Sequence, residues 1–441
     1  MPSWVALLCL GLASVQATMI GDSNSNDDNN SSFPYPSEDG FYDAPSDLGS
    51  QDPGHVIRSR TFVSRYGGDF SENYQYFYRT SDHTDTAIGT AGTVFVPQQP
   101  SQPPKVFVYS IPEDSDNINC APSYVWVNGT PTRDTASNEL FMNWGVAKGY
   151  YVVTVDQEGP DGSWLVGKTE GQAVLDGVRA AISLLDLPAA DTTVAMYGYS
   201  GGAFTTVWAS TLAASYAPEL NIVGAAHGGT PVDLAQTLND VNGTAESQLA
   251  IAGVVGLANG YPDVEDVLPD IVTPLGRNVT DTLRYLCTDA NNYTILTSGS
   301  VNPLFTTNPL DVPEIMSAVV EQSLLPNVST VPVPVPRFPR FIFNGKSDTI
   351  VPYAAVTQYV NDQCSRGADI RFVGFDLLDH LPAAVAGEVA TLEFLESALE
   401  GAVVPVPCGS PVVTPYLGDV AADLYLGVQL APIAARTILT G

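Results

Sequence analysis

Thr193-Val194-Ala195-Met196-Tyr197-Gly198-Tyr199-Ser200-Gly201-Gly202-Ala203-Phe204 is the stretch whose reading decides the fold. Thr193–Tyr197 is a short apolar run of strand type, and Phe204, Val207, Trp208, Leu212 and Tyr216 then recur at helical spacing. Between them, Gly198-Tyr199-Ser200-Gly201-Gly202 has the pattern Gly-x-Ser-x-Gly. That is the mark of a nucleophile elbow, a tight strand-to-helix turn that lifts a serine hydroxyl above the sheet. A side chain at Gly198 or Gly202 would crowd the turn or push the helix off the strand. The pentapeptide alone is a weak signal in a chain with 38 glycines. Its value comes from the strand before it and the helix after it.

Working outward, the same alternation continues on both sides. Lys105–Ile111 and Tyr151–Asp156 read as strands, the second apolar enough to be buried on both faces. Val174, Val178, Ala181, Ile182 and Leu185 mark a helix, and Asn221–His227 is the next strand. After an interruption the rhythm resumes with a strand at Arg340–Asn344, a helix at Tyr353–Cys364, a strand at Ile370–Phe375 and a helix at Ala383–Leu399. Strands alternating with helices predict an α/β fold: a mostly parallel central sheet with helices on both faces. Ahead of this, Val56–Val63, Tyr74–Arg79 and Gly92–Val96 read as short strands that pair antiparallel with one another. The interruption, residues 229–329, is apolar, Gly-rich and helical in pattern, and reads as an insertion. The expected division is therefore a leader at 1–17, a flexible acidic tail at 18–54, the core at 55–228 and 330–409 around that insertion, and a Pro-punctuated tail at 410–441.

Length and composition fit a large globular core, with 441 residues, 44% hydrophobic and only 15% charged. The net charge of −31 argues against nucleic acid and against anionic membrane surfaces as partners. Its plain reading is solubility outside the cell. Val5–Ala13 followed by Val15-Gln16-Ala17 reads as a secretory signal with a small-x-small cleavage site, although its start lacks Lys and Arg. No stretch is long and apolar enough to predict a transmembrane segment. With Cys9 removed in the leader, Cys120, Cys287, Cys364 and Cys408 remain, an even set that predicts two disulfides in one of three pairings. Sequons at Asn128, Asn242, Asn278, Asn292 and Asn327, with Asn29 and Asn30 in the tail, point to the same compartment.

A serine hydroxyl needs a base to take its proton and an acid to orient that base. On this scaffold the partners follow in the order Ser, acid, His, each after a later strand. Asp348 is the only carboxylate in Gly345–Pro352, and His380 lies in Leu377–Pro382. Of the other histidines, His55 and His83 precede the serine and read as surface or packing residues. His227 precedes the acid and reads as structure beside the site. Asp376 and Asp379 compete with Asp348. Asp379 adjoins the histidine, so its carboxylate points elsewhere, and Asp376 falls at the end of the strand leading to it. The Gly201 N–H supplies one oxyanion donor by position. The second belongs to the loop after Lys105–Ile111, here Pro112-Glu113-Asp114-Ser115, which has no His-Gly-Gly-Gly run. No Cys/His cluster offers a metal site, and the chemistry requires no cofactor.

Several separated blocks together resemble a known family. They are Tyr109–Tyr124 with Glu113-Asp114 and Cys120-Ala-Pro-Ser-Tyr, Gly149-Tyr-Tyr-Val-Val through Asp156-Gln-Glu-Gly, and Leu175-Asp-Gly-Val-Arg-Ala. They continue with Gly198-Tyr-Ser-Gly-Gly-Ala, Ser215–Gly224 with His227-Gly-Gly-Thr-Pro, Phe338–Tyr353, and Asp379-His380-Leu to Cys408-Gly. In that order they resemble the fungal secretory lipases of the Candida antarctica lipase A type. The resemblance implies an α/β-hydrolase fold with an inserted mostly helical cap, and hydrolysis of triacylglycerols or other carboxylic esters with long acyl chains. It implies Ser200, Asp348 and His380 as the triad, with Asp114 joining Gly201 at the oxyanion. It implies the pairings Cys120–Cys287 and Cys364–Cys408, the latter worth roughly 4 kcal/mol by chain entropy. The lipid ester is the expected partner, met at an oil–water interface by a monomer. Gln157 departs from the family's usual His or Tyr, and residues 232–336 match poorly. Two other readings stay open: a short-chain esterase or peptidase on the same scaffold, and a catalytically silent binding module.

Overall fold

Strands that are apolar at nearly every position must be covered on both faces. The computed structural model describes residues 33–64, 68, 70–128, 135–287, 299–329, 333–411, 425, 426 and 430. Its strands are β1 (Val56–Thr61), β2 (Phe70–Ser81), β3 (Ala87–Pro97), β4 (Lys105–Ser110), β5 (Tyr151–Val155), β6 (Thr193–Tyr199), β7 (Asn221–Gly228), β8 (Arg340–Gly345), β9 (Ile370–Phe375) and the two-residue β10 (Ser410–Pro411). They form one sheet in the order β1-β2-β3-β5-β4-β6-β7-β8-β9-β10. β1, β2 and β3 pair antiparallel, β3 pairs antiparallel with β5, and every pairing from β5 to β10 is parallel. β2 and β3 run longer than their apolar centres suggest, because each supplies the other's ladder from Phe70↔Pro97 to Ser81↔Ala87.

The helices are α1 (Pro122–Asn128), α2 (Thr135–Ala147), α3 (Gly167–Leu184), α4 (Gly201–Tyr216), α5 (Leu234–Val241), α6 (Gln248–Gly260), α7 (Pro262–Ile271), α8 (Pro274–Leu283), α9 (Pro313–Glu321), α10 (Tyr353–Ser365) and α11 (His380–Leu399). The two-residue period of the strands sorts their side chains between two cores. Val106, Val108, Val194 and Met196 face Val174 and Val178 of α3 and Ala209 of α4. Phe107, Tyr109, Ala195 and Tyr197 face Leu140 and Trp144 of α2 and Val389 and Leu392 of α11. A third cluster joins α5–α9 to α4, α10 and the β8–β9 side. Among the described residues between β7 and β8, regular structure is helical apart from a single bridge, Val272↔Phe305.

Two expectations need correcting. Residues 33–54 do not form part of a flexible tail: Phe41, Tyr42 and Leu48 are buried, and Phe41 meets Phe77 edge-on. Arg58 of β1 donates to the carbonyls of Phe41 and Asp43 at 2.7 Å each. Three apolar anchors among polar residues suffice to dock the segment. The C-terminal tail is likewise not all tail. Ser410–Pro411 pair with β9, and Leu426 and Leu430 are buried in the α2–α11 core. The structure joins Cys120 to Cys287 and Cys364 to Cys408. The leader, Cys9, residues 18–32 with Asn29 and Asn30, and Asn292 lie outside the described residues. Asn278 and Asn327 are exposed, Asn128 and Asn242 half-buried.

Candidate active site

The β6–α4 turn carries Ser200 at φ +55°, ψ −121°, a conformation that costs energy outside glycine and is held here by its surroundings. The Ser200 N–H donates to the Gly228 carbonyl at 3.0 Å, tying the turn to β7. A Cβ on Gly198 would lie 2.0 Å from the Gly202 carbonyl oxygen, and one on Gly202 would lie 2.1 Å from that of Ser110. The elbow closes only with glycine at both positions.

His380 begins α11 and Asp348 lies in the turn after β8. His380 Nε2 is 2.9 Å from Ser200 Oγ, and its Nδ1 is 2.8 Å from Asp348 Oδ2. With Asp348 Oδ2 as the acceptor, Nδ1 carries the hydrogen and Nε2 is left to accept from the serine hydroxyl. Asp348 is held in turn by the N–H groups of Ile350 and Val351, both to Oδ1, at 3.0 and 2.7 Å. Tyr199, inside the elbow, donates its hydroxyl to the His380 carbonyl at 2.6 Å, and the two rings lie 5.0 Å apart. The elbow therefore fixes the base as well as the nucleophile.

The competing acids are committed elsewhere. Asp379 caps α11 through the His380 N–H (2.8 Å) and accepts from the Thr349 N–H (2.8 Å) and hydroxyl (2.9 Å). Burial pushes its carboxyl up, but these bonds outweigh burial and hold it below the usual range. It laces the Asp348 turn to the start of α11. Asp376 is exposed and pairs with Lys346 at 2.7 Å. His227 is wholly buried with Nδ1 2.7 Å from Thr230 Oγ1. Burial, aided by Arg340, pushes its pKa down to about 3, so it stays neutral. His83 stacks on Tyr261 at 4.2 Å, and His55 immediately precedes β1.

On the opposite side of Ser200, the arm between β4 and α1 brings Asp114 over the start of α4. Asp114 has φ +49°, and a Cβ on Gly201 would fall 1.7 Å from Asp114 Oδ1. The Asp114 carboxyl thus lies against Gly201 at a helix N-terminus, where the unbonded N–H groups and the macrodipole favour negative charge. Behind Asp114 stand acids that the sequence reading missed as a group: Glu113, Asp116, Asp156, Glu158 and Glu170. Burial comes first for all five and pushes them up. Asp156 rises to about 7 despite two bonds from Ser123, and Glu170 to about 8 despite the Thr205 hydroxyl. Glu113 rises further on account of Asp156, Glu170 and Asp114, and Glu158 on account of Glu113, Glu170, Asp114 and Asp116. Asp156-Gln157-Glu158 was visible as a block, but nothing in a chain of 48 acids marks these as buried.

A cavity of about 550 Å³ opens over Ser200 and His380. Tyr109 and Tyr197 line it from the sheet and Phe141 from α2, and Leu249 and Leu286 reach it from the insertion. Serine, imidazole, carboxylate and helix N-terminus meet at the carboxyl ends of the parallel strands of an α/β-hydrolase fold, and together they define a serine hydrolase of that class. The signature of the family described as secretory lipase matches residues 128–404. Lipase A of Moesziomyces aphidis is 36% identical over 429 residues, covering 95% of this chain and 92% of that protein. A secreted triacylglycerol lipase of Malassezia furfur is 32% identical, covering 84% and 77%. Candida antarctica lipase A in its closed state superposes with a TM-score of 0.86 at 35% identity, covering 92% of this chain and 96% of that one. The chain belongs to the secretory lipase family and is a lipase, a carboxylic-ester hydrolase. Among the described residues no helix is long and apolar enough to cross a membrane.

Proposed function

We propose that the protein is a secreted, monomeric triacylglycerol lipase in which Ser200, His380 and Asp348 form the catalytic triad and Asp114 and Gly201 the oxyanion hole. The observation that carries this reading is the continuous chain Ser200 Oγ–His380 Nε2 (2.9 Å) and Nδ1–Asp348 Oδ2 (2.8 Å). Ser200 Oγ attacks the ester carbonyl as its proton passes to His380 Nε2. The tetrahedral oxyanion is held by the Gly201 N–H and by Asp114. Collapse expels the alcohol, which takes the proton from His380. A water then repeats the sequence on the acyl-enzyme, releasing the fatty acid and restoring Ser200.

Export through residues 1–17, N-glycans on Asn128, Asn242, Asn278, Asn292 and Asn327, and action at an oil–water interface belong to the same reading. It is supported by the names of the secreted fungal relatives and by the apolar residues that the insertion contributes to the cavity as a cap. The test is fluorophosphonate labelling followed by rates on esters of increasing acyl length. Labelling confined to Ser200, with turnover maintained on long chains, is expected. A label elsewhere would remove the triad assignment, and turnover restricted to short chains would make the protein an esterase rather than a triacylglycerol lipase.

A further inference from the structure

The arm carrying Asp114 has no regular structure of its own from Ile111 to Asn117. A loop can hold a hydrogen-bonding group in place only if something rigid grips it. The grip comes from the three residues that follow β5. Gln157 Nε2 donates to the Ile111 carbonyl at 2.6 Å, and Glu158 Oε2 accepts from the Ser115 N–H at 3.3 Å. Asp156 accepts from the N–H and hydroxyl of Ser123 at 2.7 and 2.6 Å, where the arm enters α1. Downstream, Gly162 approaches so closely that a Cβ there would lie 2.7 Å from the Asp116 carbonyl carbon. The outer end of the arm is tied to the insertion by the Cys120–Cys287 disulfide.

Of the contacts made by the residues after β5, only that of Glu158 reaches Ser115, the residue next to Asp114; the Ser115 hydroxyl also donates to the Leu286 carbonyl at 3.3 Å. We propose that Glu158 is a positioning residue for the oxyanion hole: through the Ser115 N–H it fixes the arm that seats Asp114 against Gly201. The proposal rests on the oxyanion role given to Asp114 above. A glutamine side chain also accepts from an N–H, so a neutral amide at 158 can hold the arm equally. An ionised carboxylate at 158 would instead set a negative charge behind the developing oxyanion. The groups facing it are Glu113, Asp114 and Asp116 on the arm and Glu170 on α3, with Asp156 beside Glu113 and Arg284 beyond Asp116. From α4 the neighbouring side chain is Thr205, which does not titrate and donates to Glu170. His380 stands across the cavity.

Steady-state hydrolysis of p-nitrophenyl butyrate by the full secreted chain tests this. Glu158→Ala should lower kcat roughly 10- to 100-fold with KM little changed, the loss expected when a positioned group drifts by about 1 Å. Glu158→Gln should keep most of the wild-type kcat at neutral pH and carry the alkaline limb of its pH profile to higher pH. Unchanged kcat in a folded Glu158→Ala, or alkaline limbs of Glu158→Gln and wild type that superimpose, would overturn the role. Should Glu158→Ala fail to fold, the limb of Glu158→Gln decides alone. An active Ser200→Ala would refute the catalytic reading itself, whereas an active wild type with either adverse result for Glu158 refutes only this inference.

Discussion

On one side of Ser200 stand His380 and Asp348, and on the other stand Asp114 and the acids behind it. The first side is a chain of short, directed bonds in which every atom has a single role. Asp348 takes two backbone N–H groups and one imidazole, and the imidazole takes one hydroxyl. The second side has six carboxyl groups, among which the cation acting is Arg284, on Asp116. Buried acids at such distances cannot all ionise, and most must keep their protons. One wall works by directed hydrogen bonds and the other by carboxyls whose charge burial suppresses.

That contrast can be attacked from either wall. The largest effect should come from Asp348→Asn, which keeps the shape but removes the acceptor that fixes the His380 tautomer. A fall in kcat of about 10⁴-fold is expected, as in other triads. A loss smaller than tenfold would mean that another group orients the imidazole. Next, Gly201→Ala drives a methyl into Asp114 Oδ1, 1.7 Å from the ideal Cβ position. Displacing an oxyanion donor costs about 10²–10³ in kcat. Wild-type rates in this variant would show that Asp114 is not needed.

Stability against pH separates the walls next. Carboxyls raised above their ordinary value of about 4 stabilise the fold fully below that value and cease to do so as pH rises through their folded values. With Asp156 at about 7 and Glu170 at about 8, the melting temperature should decline from mild acid to mild base. His227, depressed to about 3, pulls the other way only below its ordinary value of about 6.5. A melting temperature that climbed between about pH 6.5, above which His227 no longer opposes, and the Glu170 value of about 8 would contradict a protonated wall. The smallest effect is Asp379→Ala, which removes a helix cap and a tie to Thr349 for about 1 kcal/mol of stability. Denaturant melts would register it, and a kcat loss as large as that of Asp348→Asn would reinstate Asp379 as the acid.

The walls differ equally in how readable they are from sequence. Ser200, Asp348 and His380 could be named because the chemistry dictates their types, their order and the strands they follow. The elbow could be named because only glycine tolerates the approach of Gly202 to Ser110. Asp379 could be excluded as the acid, but its part in lacing Thr349 to α11 depends on a backbone direction that the letters do not carry. The acid wall was illegible for a different reason. Glu113, Glu158 and Glu170 come from three separate segments, and an excess of acids reads as a solvated surface until the fold brings them together inside. Residues 33–54 misled in the same way, because Phe41, Tyr42 and Leu48 are few among many polar neighbours. The insertion was readable as helical, but which of its residues reach the cavity was not.

Tyr42 gives that docked segment a wider consequence. Its hydroxyl lies 2.8 Å from Ser123 Oγ, which donates to Asp156 at 2.6 Å, and Gln75 donates to Tyr42 at 2.8 Å. The turn Gly40–Tyr42 is thus the outer plug of the acid wall. A cut near His55 would pull out Phe41, Tyr42 and Leu48 together and let solvent in toward Asp156. The buried core of the lipase thus extends past its first strand to that plug.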